Sequence, residues 1–83
     1  MKRPAADTPK AFLENIARNL KSHRRRLGLS QEQFADLCGY HRTYIGSIER
    51  AERNITIQTL CNVAATLHIS ILDLLEDSHD SYR

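Results

Sequence analysis

Residues 27–54 read LGLSQEQFADLCGYHRTYIGSIERAERN, and the order of helix signals in this stretch decides the fold. Ser30, followed three places on by Gln33, has the form of a capping box, in which each side chain satisfies a backbone N–H that the first helical turn leaves open. The spacing predicts a helix starting at Ser30, with Leu29 placed to pack on Phe34 and with Phe34, Ala35 and Cys38 facing inward. Gly39 offers the left-handed backbone that closes a helix cheaply. A further helix, from His41 to Arg50, follows almost at once and sets Ile45 and Ile48 on one side. At about 100° per residue, Thr43, Gly46, Ser47 and Arg50 fall on the opposite face, with Arg42 and Tyr44 flanking it near the start. Two short helices joined by a glycine turn are expected, the second with a small, polar, basic outer face. Gly46 on that face costs about 1 kcal/mol relative to alanine. Either a groove wall comes close there or the glycine is a neutral surface residue.

Outward from this pair the helical pattern continues in both directions. Phe12, Leu13, Ile16, Ala17 and Leu20 recur at helical spacing between Pro9 and Arg26, with Thr8 as N-cap and Pro9 suited to the first turn. After a loop from Ala51 to Ile55, Thr56 caps a fourth helix with Ile57, Leu60, Ala64 and Leu67 inward, ending near His68. Ser70 with Asp73 makes a second capping box for a short fifth helix bearing Ile71, Leu72, Leu74 and Leu75. The expectation is an all-α chain of five helices in one domain over 9–76, with a flexible basic arm at 1–8 and a disordered tail at 77–83.

Charge is unevenly distributed along the 83 residues, although the net value is only +2. Lys2, Arg3, Lys10, Arg18, Lys21, Arg24, Arg25 and Arg26 face only Asp7 and Glu14 up to Leu29, whereas Asp73, Glu76, Asp77 and Asp80 make the other end acidic. A basic face suits a polyanion, and the competing reading is an ordinary solvated helix surface. No apolar run approaches the roughly 20 residues that cross a bilayer, and the start MKRPAADTPKAF lacks the apolar core of a secretory signal, so a cytoplasmic protein is expected. Cys38 and Cys61 form no CxxC pair and sit among apolar neighbours, which predicts free, buried thiols. His23, His41, His68 and His79 make no metal or catalytic spacing, so no enzyme, metal or cofactor is expected.

The stretch LGLSQEQFADLCGYHRTYIGSIERAERN resembles the helix-turn-helix family of phage repressors and Cro proteins, often called XRE. The resemblance runs from Phe12 to Glu76 and is carried by Ser30-Gln31, Ala35, Gly39, Ile45, Ile48-Glu49 and the pattern from Leu60 to Leu75. It implies a Cro/C1 (lambda repressor-like) domain, and HRTYIGSIERAERN looks most like the controller proteins of bacterial restriction-modification systems. By this resemblance Arg42, Thr43, Tyr44 and Ser47 touch base edges, while Gln31, Arg50, Arg53 and Asn54 contact the DNA backbone. Tyr44 has a rival role in packing beside the turn, and the polar residues could be plain surface. The resemblance also makes Arg24 and Glu49 an internal salt bridge and puts Ile69, Ile71, Leu72 and Leu75 in a dimer interface. Ala51 and His68 stand where the family prefers glycine, so either Ala51 is strained in a left-handed backbone or the end of the third helix is extended or reshaped. His23 stands at a site often held by leucine, which suits a partly buried contact better than a pH sensor.

The leading expectation is therefore a homodimeric transcriptional regulator on a palindromic double-stranded DNA operator, with RNA polymerase as a further candidate partner and no membrane. The alternative is an antitoxin with an autoregulatory helix-turn-helix, for which the short polar end SHDSYR gives little partner-binding chain.

Overall fold

Each expected start is set by a side chain that accepts from the open first turn, as helix N-termini require. In the computed structural model, which describes residues 8–77, the helices are α1 (Pro9–Arg26), α2 (Gln31–Cys38), α3 (Arg42–Glu49), α4 (Ile57–Leu67) and α5 (Ile71–Leu75). Thr8 accepts from the Ala11 amide at 3.0 Å, and Thr56 from the Thr59 amide at 3.0 Å. Both capping boxes are present: Ser30 with Gln33, and Ser70 with Asp73. His41 is the N-cap of α3 rather than part of it, its Nδ1 accepting from the Thr43 amide at 3.1 Å. Residues 1–7 of the expected arm and most of the expected tail lie outside the described residues; Thr8, the last of that arm, caps α1, and Asp77, the first of that tail, forms an ion pair with Arg18 at 3.6 Å.

Four of the five helices end in one way. A residue with left-handed backbone follows the last turn, and two backwards amide bonds close the open carbonyls, the Schellman arrangement. Gly28 and Gly39 fill the position with φ of 75° and 81°; Ala51 and His68 fill it with φ of 59° and 61°. At Ala51 the bonds run from its own amide to the Ile48 carbonyl and from the Glu52 amide to the Ser47 carbonyl, both 3.0 Å. The end of α3 is therefore neither extended nor reshaped, and alanine carries the strain in place. Left-handed backbone costs an L-residue roughly 1–2 kcal/mol, part of which glycine's greater loss of entropy offsets. Ala51→Gly is expected to stabilise the protein by about 0.5–1 kcal/mol, raising Tm by about 2–8 °C for a chain of this size. Thermal unfolding followed by circular dichroism checks this, and a lower Tm would mean that the turn is not strained.

Leu20, Phe34, Ile45 and Leu74 are fully buried, and Ile16, Ala35, Ile48, Leu60, Val63, Ala64 and Leu67 complete the core around them. α1 packs against α3 and α5, and α2 against α3 and α4, so the second and third helices stand on a platform made by the others. Two apolar expectations are corrected. Ile57 lies on the exposed first turn of α4, 69% accessible, so its place in the three-and-four repeat does not bury it. Cys38 is half-buried, and burial pushes its thiol pKa up against a smaller opposing effect of the nearby Thr66 side chain, but Cys61 is exposed. His23 is half-buried.

Candidate nucleic-acid interface

Gly39 bends the chain so that the start of α2 and the outer face of α3 come together. Gln31, Arg42, Thr43, Gly46 and Arg50 line a polar cleft of about 200 Å³ there. Arg42 and Thr43 occupy the first turn of α3 and are exposed. Arg50 closes the other end of that helix and reaches back, its Nε donating to Glu52 at 3.0 Å across an exposed surface. Arg53 lies over the Tyr44 ring, 5.1 Å from its centroid, and Asn54 is exposed in the loop that follows. A larger groove of about 620 Å³ runs between α1 and the end of α3 and shares only Arg50 with the cleft; Glu14 interrupts its cations Arg18, Lys21 and Arg25.

The cleft rests on a buried ion pair. Arg24 on α1 donates from Nε to Glu49 Oε2 at 2.6 Å and from Nη2 to Glu49 Oε1 at 2.9 Å, with the two side chains 8% and 0% accessible. Its remaining terminal nitrogen donates to the Leu29 carbonyl at 2.7 Å, so one guanidinium ties together α1, the turn before α2, and α3. Such fork-to-fork pairing is directional as well as strong. The hydrogen bond from Arg24 to Glu49 raises the guanidinium pKa against the opposing effect of burial. Gln31 joins the same group, its Nε2 donating to Glu49 Oε1 at 3.0 Å. An amide nitrogen carries two hydrogens, so the second stays available at the cleft.

Two side-chain directions differ from the helical-wheel expectation. Gly46 is buried rather than on an open face: a Cβ there would meet Arg50 Nη1 at 3.2 Å and Gln31 Oε1 at 3.5 Å. The glycine makes room for two side chains of this chain to converge, which accounts for it without an approaching groove wall. Ser47 is also buried, 7% accessible, and its hydroxyl donates to the Tyr44 carbonyl at 2.7 Å. A helical wheel assigns both to the outer face because it ignores what folds back over that face, as Gln31 of α2 and the Arg50 side chain do at Gly46. Tyr44 is half-buried, its hydroxyl donating to Thr59 at 3.4 Å and its ring 5.2 Å from that of Tyr40 at 60°. Tyr40 in turn accepts from Asn62 at 2.8 Å, so the two tyrosines brace α3 and its turn against α4.

Around α5, Leu72 is 74% accessible, and Ile69, Ile71 and Leu75 are half-buried against the core. Sequence reading gave no role to Asn15 and Asn19, yet both are buried on α1 and donate to the end of α5. Their i, i+4 spacing within an otherwise apolar face was the available signal. Among the described residues no group of three or more His, Cys, Asp or Glu side chains could hold a metal ion, and no helix is long and apolar enough to cross a membrane.

Five helices among the described residues, a glycine-turned pair and an exposed basic start to the second of them define a DNA-binding transcriptional regulator of the helix-turn-helix class. The chain belongs to the helix-turn-helix family, whose model matches residues 20–74. It is similar to control protein C.SmaI of Serratia marcescens, 52% identical over 62 residues that cover 75% of this chain and 74% of that protein. Among solved structures it resembles the restriction-modification controller protein C.AhdI from Aeromonas hydrophila, with a TM-score of 0.71 and 35% identity over 75% of this chain and 94% of that one. It also resembles the hypothetical transcription factor NHTF from Neisseria, with a TM-score of 0.80 and 29% identity over 95% of this chain and 87% of that one.

Proposed function

We propose that the protein is a restriction-modification controller that binds a two-fold symmetric operator as a homodimer, with α3 of each protomer in a major groove. The observation that carries this reading is the exposed pair Arg42 and Thr43 at the start of α3, above a cleft whose wall is Gln31 at the start of α2. In this docking geometry the N-terminal turn of the second helix meets the base edges. Arg42 donates to O6 and N7 of a guanine, and the Thr43 methyl group touches a thymine methyl. Gln31, Arg50, Arg53 and Asn54 hold phosphates, which fix the register without reading sequence. Of the four residues expected to read bases, Tyr44 and Ser47 serve instead to hold α3, since their polar groups already have partners within the protein.

The dimer reading rests on α5. Leu72 stands exposed beside half-buried Ile69, Ile71 and Leu75, an apolar surface that a second copy covers on a two-fold axis. Half-sites then lie roughly 10 base pairs apart or a multiple of that. The similarity to C.SmaI and C.AhdI supports the controller assignment.

The test is Arg42→Ala, with affinities of wild type and variant measured on the operator and on its single-base variants. A base contact is worth about 1–3 kcal/mol of discrimination at one position, whereas a phosphate contact weakens all sequences nearly alike. Arg42→Ala is expected to abolish the preference for guanine at one position of each half-site. An unchanged preference at every position removes Arg42 from the readout.

A further inference from the structure

α5 is too short to close its own end. A helix leaves its last four carbonyls without intrahelical partners, and in five residues that is nearly all of them. The Leu72 carbonyl accepts from the Glu76 amide at 3.1 Å. The carbonyls of Leu74, Leu75 and Glu76 are taken by α1 instead. Asn19 donates both hydrogens of its amide, to Leu74 at 2.7 Å and to Glu76 at 2.8 Å, and Asn15 donates to Leu75 at 3.2 Å. Both asparagines are buried, 2% and 6% accessible. Arg18 guards the outer edge, bonded to the Asn15 side-chain oxygen and paired with Asp77 at 3.6 Å. Three successive carbonyls of one segment are thus held by two side chains one turn apart on another.

Apolar contact alone would keep α5 on α1 but would leave its tilt loosely determined, because burial has no preferred direction. Hydrogen bonds to three fixed carbonyls do determine it. Five residues beyond Asn19, on the same helix, Arg24 grips Glu49 of α3. At 1.5 Å of rise per residue the two grips lie only about 7–8 Å apart along α1. One rigid helix therefore holds α5 by one grip and the recognition helix by the other.

We infer that Asn15 and Asn19 are positioning residues: by fixing α5 against α1 they set the separation and mutual angle of the two recognition helices in the homodimer. This rests on the α5-mediated dimer proposed above. Two linked recognition elements gain about 10²- to 10⁴-fold in avidity when geometry lets both engage, and nothing when it does not. A change that loosens α5 should remove that gain while leaving each single half-site contact intact.

The experiment uses the duplex that the wild-type protein selects from a random library, the same duplex with one half-site scrambled, and versions with one base pair added or removed between the half-sites. Affinities are measured by fluorescence anisotropy for wild type, Asn19→Leu and the milder Asn15→Ala, at a temperature where thermal unfolding shows each to be folded. Expected are a loss of about tenfold or more on the intact duplex, a change within about twofold on the scrambled one, and a flattened preference for spacing. Asn15→Ala removes one bond of three and keeps the test open if Asn19→Leu does not fold. Equal losses on intact and scrambled duplexes, or none on either, would make the asparagines merely structural and overturn the inference alone. If the wild type itself gains nothing from the second half-site, the dimer reading falls and the inference with it.

Discussion

Arg24→Met is expected to lower the free energy of unfolding by about 3–5 kcal/mol, a large share of the roughly 5–15 kcal/mol that holds a protein of this kind together. The size follows from what is left behind. Glu49 has no accessible side-chain surface, and without Arg24 its carboxylate keeps only the Gln31 amide at 3.0 Å, while the Leu29 carbonyl loses its donor. Urea unfolding checks this through a fall in midpoint at unchanged slope. The double replacement Arg24→Met with Glu49→Leu should recover most of the loss, since apolar residues of similar volume often substitute for a buried pair without penalty. A loss below about 1 kcal/mol for the single variant is what an exposed bridge gives and would contradict the burial described here.

Raising the salt concentration fourfold is expected to weaken operator binding by about 150-fold. On the contacts proposed above, four neutralised phosphates, two per protomer from Arg50 and Arg53, give a slope of about −3.6 in log affinity against log salt. Both arginines have partners to surrender first: Glu52 at 3.0 Å for Arg50 and the Tyr44 ring for Arg53. The bridge to Glu52 lies between side chains more than half accessible, and exposed pairs are worth about 0–1 kcal/mol, so it yields readily to a phosphate. Arg53→Gln should reduce the slope by about 1.8 in the dimer. A slope that the substitution does not move places Arg53 away from the DNA, with the tyrosine as its only role.

The fold was legible because its signals are local. Capping boxes at Ser30 and Ser70, caps at Thr8 and Thr56, and the turn at Gly39 each act within four residues, so the chain states them without knowledge of tertiary contacts. Arg24 with Glu49 was legible only through family resemblance, since nothing in a 25-residue separation says that two charges meet. The faces of α3 were read less well. A helical wheel knows the angle of Ser47 and Gly46 but not which neighbours lie against it: Gln31 of α2 and Arg50 come over Gly46, and Ser47 turns its hydroxyl back to the Tyr44 carbonyl. Ile57 shows the converse: apolar periodicity continues onto a first turn that protrudes past the core. Asn15 and Asn19 escaped notice because a polar residue on an apolar helix face reads as an interruption until the carbonyls it satisfies are seen.

The close convergence of Gln31 and Arg50 over Gly46 restricts how this domain can be retargeted. An alanine at position 46 asks the Arg50 tip to give by only a few tenths of an ångström, whereas a larger side chain must push it aside, and any larger group at 47 must find room where a serine is already buried. On the docking proposed above, the alphabet available for new operator preferences is concentrated at positions 42 and 43, where side chains stand free of the scaffold. A library that randomises those two sites while keeping 46 and 47 fixed should yield folded variants of altered preference far more often than one spread evenly along the helix.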